Sequence, residues 1–486
     1  MPRVAGRWPL LHHWLFIIRY SLFIILIASA SCLNTEQAKT KSRSAKGTIK
    51  LVTLDPGHYH AALVQKSMYE QVDPAVHVYA PDGPDVQDYL KQIAQFNSRE
   101  KDPTHWQMKV HVGDDSLERM LAEKAGDIVV LSGNNRRKAE YIKASIDAGF
   151  NVFCDKPMCI DSQGFVLLKR AFAAAKQKKV LLFDIMTERY NATCILQKLL
   201  VLDRELFGEQ QAGTPENPGV VKESVHHFFK YVAGSPIRRP GWYFDTTQQG
   251  EGLVDVTTHL IDLTMWTCFP DEAIDYHKDV AMKGARRWPT LITRPQYEKV
   301  TGLSDFPGFL RPKLNDDGAL PCYSNGEMTF TLKGVCVKLS VTWNFEAPPG
   351  AGDTHHSLFR GGKAHVVIRQ GKEQNYKPEV YVEPAPGTDP NELATSLKKA
   401  VARLQSQFPG LRAELASRPS SIVRRPSWHV IIPEKYDVGH EAHFQKVLEA
   451  YMQYLAEGRL PDWEVPNMLA KYYITTQALE KAKALR

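Results

Sequence analysis

The stretch "TIKLVTLDPGHYHAALVQ", Thr48–Gln65, decides the reading of the fold. A short apolar run ends at Leu54, and a helical pattern opens at His58, just beyond Asp55, Pro56 and Gly57. A strand that turns directly into a helix is where a dinucleotide-binding fold carries its glycine-rich phosphate turn, G-x-G-x-x-G. Here Asp55 stands at the first glycine, Gly57 at the second and His60 at the third. The middle glycine, which lets the backbone approach a pyrophosphate, is kept. Asp55 before Pro56 also has the form of an N-cap followed by proline at N1, so a helix is predicted over residues 58–69 with the carboxylate in the anion site. Two unit charges about 4 Å apart cost about 4 kcal/mol at an effective dielectric of about 20. A nucleotide must therefore sit displaced, push Asp55 aside, or draw on compensation, for which His58 and His60 are the candidates. Asp55, His58 and His60 are spaced too loosely to define a metal site, and none is assigned.

Outward from this turn, strand-like and helical stretches alternate. "VHVYAPDG", "MKVHVG", "DIVVLSG", "NVFCDKP" and "VLLFDIM" read as strands, separated by helices such as "PDVQDYLKQIAQFN" and "RRKAEYIKASIDAG". That alternation means right-handed crossovers and a parallel sheet covered on both faces. Residues 49–186 are thus expected to form a Rossmann-like, NAD(P)-binding domain. Beyond it the pattern changes to alternating runs such as "GEMTFTLKGVCVKLSVTWNFEA" and amphipathic helices such as "HEAHFQKVLEAYMQYLAEG". Residues 187–486 are expected to be a C-terminal α+β domain with a largely antiparallel sheet, for substrate binding and oligomerisation; the overall class is α/β.

The first 32 residues read as an export signal: Arg3, Arg7 and Arg19 precede "SLFIILIASASC", too short to span a bilayer. Ser29, Ala30 and Ser31 before Cys32 resemble a lipobox, so Cys32 is the expected lipidation site and residues 33–48 a tether. The expected location is the bacterial cell envelope, on a membrane through that anchor. Formal net charge is +7, of which the three leader arginines account for three. The remaining +4 is too mild to argue for nucleic acid. Six further cysteines lack any paired CxxC spacing and read as buried small hydrophobes.

Two other stretches carry chemistry. "AGFNVFCDKP" puts Asp155 and Lys156 at the carboxyl edge of the sheet, where open α/β folds bind ligands. "GEGLVDVTTHLIDLTMW" puts Asp255, His259 and Asp262 at spacings of four and three on one helical face, behind glycines that allow close ligand approach. A histidine is suited to take and return a proton near neutrality. Together these stretches resemble the glucose-fructose oxidoreductase / inositol dehydrogenase family (Gfo/Idh/MocA). Its "AGKHVxCEKP" is matched by Ala148–Pro157, with Asp155 replacing Glu, and its "GGGxLxDxGxHxxD" by Gly250, Gly252, Leu253, Asp255, His259 and Asp262.

The resemblance implies that Lys156, Asp255 and His259 are catalytic: Lys156 polarises a substrate hydroxyl, His259 is the acid/base, Asp255 orients substrate or base, and Asp262 fixes the helix or the imidazole tautomer. It implies NAD or NADP, tightly held because free nucleotide is scarce outside the cytoplasm, and a homo-oligomer. The family's "TPNxxH" is here "SGNNRRK", keeping Asn134 after Ser132 and exchanging the histidine for Arg137 or Lys138. Expected cofactor contacts are therefore Asp55, Gly57, His58, His60, Asp82, Ser132, Asn134, Asp155 and Lys156. Asp82, past the second strand, is placed to bind a ribose. Expected substrate contacts are Lys230, Arg238, Trp242 and Tyr243, His355 and His356 from a loop between strands, and Arg189, which matches the family's "NRRF" position. An indole with basic donors around it suits a carbohydrate. The leading expectation is an exported oxidoreductase acting on a CH–OH group of a sugar. The alternatives are an NAD-dependent glycosidase working by transient oxidation and a carbohydrate-binding protein that has lost the nucleotide.

Overall fold

The computed structural model describes residues 48–232, 235–416 and 426–485. The leader with Cys32, and all of the tether but its last residue, lie outside the described residues. Six strands, β1 (Leu51–Leu54), β2 (Ala75–Ala80), β3 (Gln107–Val112), β4 (Ile128–Leu131), β5 (Asn151–Asp155) and β6 (Leu182–Ile185), form one parallel sheet in the order β3-β2-β1-β4-β5-β6. The central strands β1 and β4 and the edge strand β6 are buried along their whole length, as continuous apolar runs such as "IVVL" require when helices cover both faces. Strand order reverses between β1 and β4, which opens a crevice at their carboxyl ends.

The helix predicted over residues 58–69 is shorter, running only from His60 to Leu63. The Tyr69 hydroxyl takes the carbonyl of Val64 and the Trp106 indole that of Gln65, so side chains capture the oxygens that further helical turns need. Asp55 is not its cap. Its backbone adopts φ 49°, the left-handed conformation natural to the glycine it replaces, and its carboxylate accepts the Tyr141 hydroxyl at 3.2 Å.

The second sheet is mixed and mostly antiparallel. It comprises β7 (Val220–Phe229), then, after a small hairpin of β8 (Tyr231–Val232) and β9 (Ser235–Pro236), β10 (Val280–Ile292), β11 (Leu320–Leu332), β12 (Val335–Glu346), β13 (Thr354–Arg360), β14 (Ala364–Gln370), β15 (Glu379–Pro384), β16 (Arg412–Leu415) and β17 (Trp428–Ile431). Their order is β10-β11-β12-β7-β13-β14-β15-β17-β16, with β12 and β7 parallel. His355 and His356 belong to β13, opposite Ser224 and Glu223, and not to a loop as expected. Pairing with β7 runs unbroken from the buried Leu358 and Phe359 back through them.

The last two helices tie the halves together. Helix His440–Glu457 returns to the first sheet, where Phe444, Val447, Leu448 and Tyr451 join its core. The Tyr451 hydroxyl reaches the carbonyls of Val152 and Leu181. Helix Glu464–Ala484 bridges the two cores: Met468 and Tyr472 face the first, Ala470, Ile474 and Ala478 the second. The six cysteines among the described residues are unbridged and, apart from half-buried Cys268, buried. No helix among the described residues is long and apolar enough to cross a membrane.

Candidate active site

The end of β5 and the turn before helix Thr257–Cys268 meet at one point. Lys156 Nζ donates to Asp255 Oδ1 at 2.6 Å, and Gln249 Nε2 donates to Asp255 Oδ2 at 3.2 Å. The pair joins chain positions 99 residues apart. Both side chains are largely withdrawn from water, so the ion pair is held in place instead of fluctuating in solvent. His259 follows one turn later. Its Nδ1 is buried and has no hydrogen-bond partner among the described residues. Burial first, then the charges of Lys156 and His440, push its pKa well below the usual 6.5. At neutral pH the imidazole is therefore in its basic, uncharged form.

The glycines ahead of Asp255 do not serve ligand approach, as expected from sequence. A methyl group at Gly252 would lie 2.0 Å from the Ser324 carbonyl of β11, so this glycine lets the turn seat on the second sheet. Asp262 and Arg189 hold each other. The Asp262 carboxylate is doubly bonded by Arg189 at 2.7 Å and takes Lys471 Nζ at 3.0 Å. Arg189 further holds Glu464 at 2.6 Å, and Lys471 holds Asp184 of β6 at 2.6 Å. Arg189 is thus engaged by two carboxylates inside the protein and is not among the walls of the cavity beside the Asp55 turn. This ionic cluster fixes the helix that carries His259 to the edge of the first sheet and to the C-terminal helix.

A cavity of about 970 Å³ lies between the Asp55 turn, the end of β2 and the segment 237–243; Lys156, Asp255 and His259 are not among its walls. Asp82, Asn134, Arg136, Arg137, Arg238 and Trp242 are among its walls. The turn itself differs from an open phosphate cradle: the Gly57 and His58 amides both donate to the Ser132 carbonyl, at 3.2 and 3.3 Å. A methyl at Gly57 would come 2.8 Å from Asp85 Oδ2, so the side chain that crowds this glycine is a carboxylate of this chain. Burial raises the Asp55 pKa, while Tyr141, Arg137 and Lys138 lower it. The compensation assigned to His58 and His60 thus comes from Arg137 and Tyr141. His60 is 2.9 Å from Asp155 Oδ2, on which Ser132 Oγ also donates at 3.1 Å. Ser132, His60 and Asp155 are buried behind the cavity and do not line it.

Of the expected substrate residues, Arg238, Trp242 and Tyr243 line the cavity. The Trp242 indole N–H donates to Asp85 at 2.6 Å, closing the gap between the halves. Tyr243 is stacked under Arg239, whose guanidinium donates to the Phe228 carbonyl. Lys230 is engaged by Asp353 at 2.5 Å, which also takes His227 at 2.9 Å, and His355 and His356 do not line the cavity either. Sequence reasoning passed over Tyr59, Asp85, Arg136 and His440. Tyr59 stands between two histidines in the sequence; the residue is 45% exposed and lines the cavity. Asp85 read as an ordinary helix-start acid.

The strand order β3-β2-β1-β4-β5-β6 is that of dinucleotide-binding folds, here joined through the strand-end Lys156 to a mixed-sheet half. Family comparison agrees. Residues 58–184 match "Oxidoreductase family, NAD-binding Rossmann fold", and residues 196–483 match "Putative oxidoreductase C terminal domain". The chain belongs to the Gfo/Idh/MocA oxidoreductase family. A crystal structure described as a putative oxidoreductase from Parabacteroides merdae is 51% identical, covers 91% of this chain and 99% of its own, and superposes with a TM-score of 0.87. A 3-ketoreductase from Actinomadura kijaniata, solved with TDP-benzene and NADP, is 14% identical over 90% of this chain and 98% of its own, at a TM-score of 0.52. A levoglucosan dehydrogenase in complex with NADH is 12% identical over 90% and 97%, at 0.54. These two share the fold. An uncharacterized oxidoreductase of Schizosaccharomyces pombe is 26% identical over 148 residues, and the chain spans 35% of its length.

Proposed function

We propose that the protein transfers hydride between a bound nicotinamide nucleotide and a CH–OH group of a sugar or sugar derivative. The observation that carries this reading is the 2.6 Å contact of Lys156 with Asp255, near His259, whose Nδ1 has no hydrogen-bond partner among the described residues. The residues fit a dinucleotide in size and charge: the 970 Å³ cavity brings Arg136 and Arg137 as anion partners and Asp82 as a ribose acceptor. An acid at Asp82 favours NAD, whose ribose keeps its 2′-hydroxyl. When bound, the nucleotide supplies the hydride acceptor or donor. Lys156 presents an ammonium held in position by Asp255, suited to hydrogen-bond a hydroxyl or ketone oxygen and favour its charged form. The neutral imidazole of His259 accepts the hydroxyl proton on oxidation and returns it on reduction. Trp242 and Tyr243 are aromatic members of the cavity wall that a sugar ring would meet.

The test is a titration of the purified full-length chain with NAD(H) and NADP(H), followed by a panel of sugars monitored by nicotinamide absorbance. Binding with a net absorbance change supports the oxidoreductase. Release of an aglycone without net change supports the transient-oxidation glycosidase. Absence of nucleotide binding favours the carbohydrate-binding protein, a reading that the Asp55 and Asp85 carboxylates at the turn support.

The leader sequence supports export and anchoring through a lipid on Cys32, and the wide second sheet offers a face for self-association. In a bacterial host, Cys32→Ser should move the chain from the membrane to the soluble envelope fraction; an unchanged membrane fraction would remove the lipid anchor from the proposal.

A further inference from the structure

We propose that His58, His60 and Asp155 form a binding site for a divalent transition-metal ion of the zinc class, at the inner end of the cleft beside Lys156. The sequence places Asp155 about a hundred residues from the two histidines, so the group exists only in the fold. Nδ1 of His60 lies 2.9 Å and Nδ1 of His58 3.6 Å from the same oxygen, Asp155 Oδ2, and all three donor atoms fall within 4.8 Å of one another. Ligands held at about 2.0–2.1 Å around a tetrahedral ion stand about 3.3 Å apart, which these spacings straddle.

The tautomer of His60 gives a second, independent argument. Its Nε2 is buried and unpartnered, and its ring lies against Phe444 with centroids 4.6 Å apart. If Nδ1 carries the proton and donates to Asp155, Nε2 is left as a bare lone pair with no donor in an aromatic setting. If Nδ1 ligates an ion, Nε2 carries the proton, and an N–H is the form that an aromatic face accepts. His58 Nδ1 is held by the His60 backbone N–H only at 3.4 Å, a weak bond that an ion readily displaces. Asp155 is oriented by the Ser132 hydroxyl at 3.1 Å, the outer-sphere support that a ligating carboxylate needs. Lys156 is already matched by Asp255, so an ion does not face an unpaired ammonium. Two imidazoles and one carboxylate suit zinc, cobalt, nickel or ferrous iron, and they leave coordination positions open on the side of His58, whose side chain reaches the cavity.

This site stands whether or not the Asp55 turn binds a nucleotide. The test uses the full-length chain, stripped with a chelator and titrated with Co²⁺ while ligand-field absorbance and metal content are read. One ion per chain is expected, displaced by Zn²⁺. His58→Ala should weaken binding about tenfold or more, the least that removing a direct ligand costs. Asp155→Asn should weaken it at least as much, while His111→Ala, at a surface pair, should leave the titration unchanged. Because His60 is buried and its substitution risks the fold, circular dichroism accompanies each variant and His58→Ala decides. No saturable binding, or the same binding in folded His58→Ala as in the parent, overturns the proposal.

Discussion

The two ends of the cleft meet the family pattern differently. At the Lys156 end the side chains that the pattern asks for are present and converge: Lys156, Asp255 and His259 share one place, backed by the buried Arg189, Asp262 and Lys471 cluster. At the Asp55 end the glycines are largely gone, the turn amides are taken by Ser132, and Asp85 with Trp242 occupies the space beside Gly57. The difference is physical. Proton handling needs an imidazole and an ammonium with particular chemistry, and no neighbouring residue can stand in for them. Binding a phosphate needs positive potential, which backbone amides or the side chains of Arg136 and Arg137 can both supply.

The sharpest way to break this comparison is at the Lys156 end. His259→Ala should lower turnover by about 10²- to 10⁴-fold, the usual contribution of a positioned acid/base, with nucleotide affinity unchanged. His259 Nδ1 has no partner to strand, so the fold should survive. Lys156→Met is expected to be as severe, but it leaves Asp255 with Gln249 alone. The double variant Lys156→Met, Asp255→Asn separates lost chemistry from an uncompensated charge. Turnover within about threefold of the parent in folded His259→Ala would remove that residue from the reaction.

Next comes the support behind it. Asp262→Asn takes one carboxylate from a site that holds two cations, Arg189 and Lys471, both withdrawn from water. Breaking a buried pair typically costs about 3–5 kcal/mol. Denaturant unfolding should report a loss of that size, with the remaining folded fraction still binding nucleotide. A loss under about 1 kcal/mol would mean that the cluster does not anchor the His259 helix.

How far the sequence could be read follows the same division. The six parallel strands were legible because short β-like runs, continuous and apolar in the core strand "IVVL", alternate with helical periods, a local signal. The Lys156 and His259 stretches were legible because motif order along the chain survives without coordinates. What was hidden is contact between distant segments. Nothing local in "HEAHFQKVLEAYMQYL" says that Tyr451 will reach Val152, or that Trp242 will donate to Asp85. Asp55 was misread for a related reason: Asp before Pro fits a helix cap, but the register set by β1 and β4 forces a left-handed turn there and turns the carboxylate to Tyr141. Arg189 was assigned outward because its buried partners, Asp262 and Glu464, lie 73 and 275 residues away.

The smallest expected effect sharpens the Asp55 end. Burial raises the Asp85 pKa from 3.8 to about 6, with Asp55 and Asp88 adding to the rise and the Trp242 indole opposing it. Between about pH 4 and pH 6 the folded chain holds a proton that the unfolded chain has released, so stability falls as pH rises through that window and levels off above it. Asp85→Asn keeps an acceptor for the indole and removes the ionisation, so it should flatten that slope. The same logic reaches the nucleotide. Above pH 6 an ionised Asp85 beside Gly57 repels a pyrophosphate, so Asp85→Asn should tighten NAD(H) binding at pH 8 about fivefold, or about 1 kcal/mol, and by less at pH 5. Affinity that instead weakens in Asp85→Asn at pH 8 would make the carboxylate a ligand contact, and the turn an acid-accepting site instead of a compensated phosphate turn.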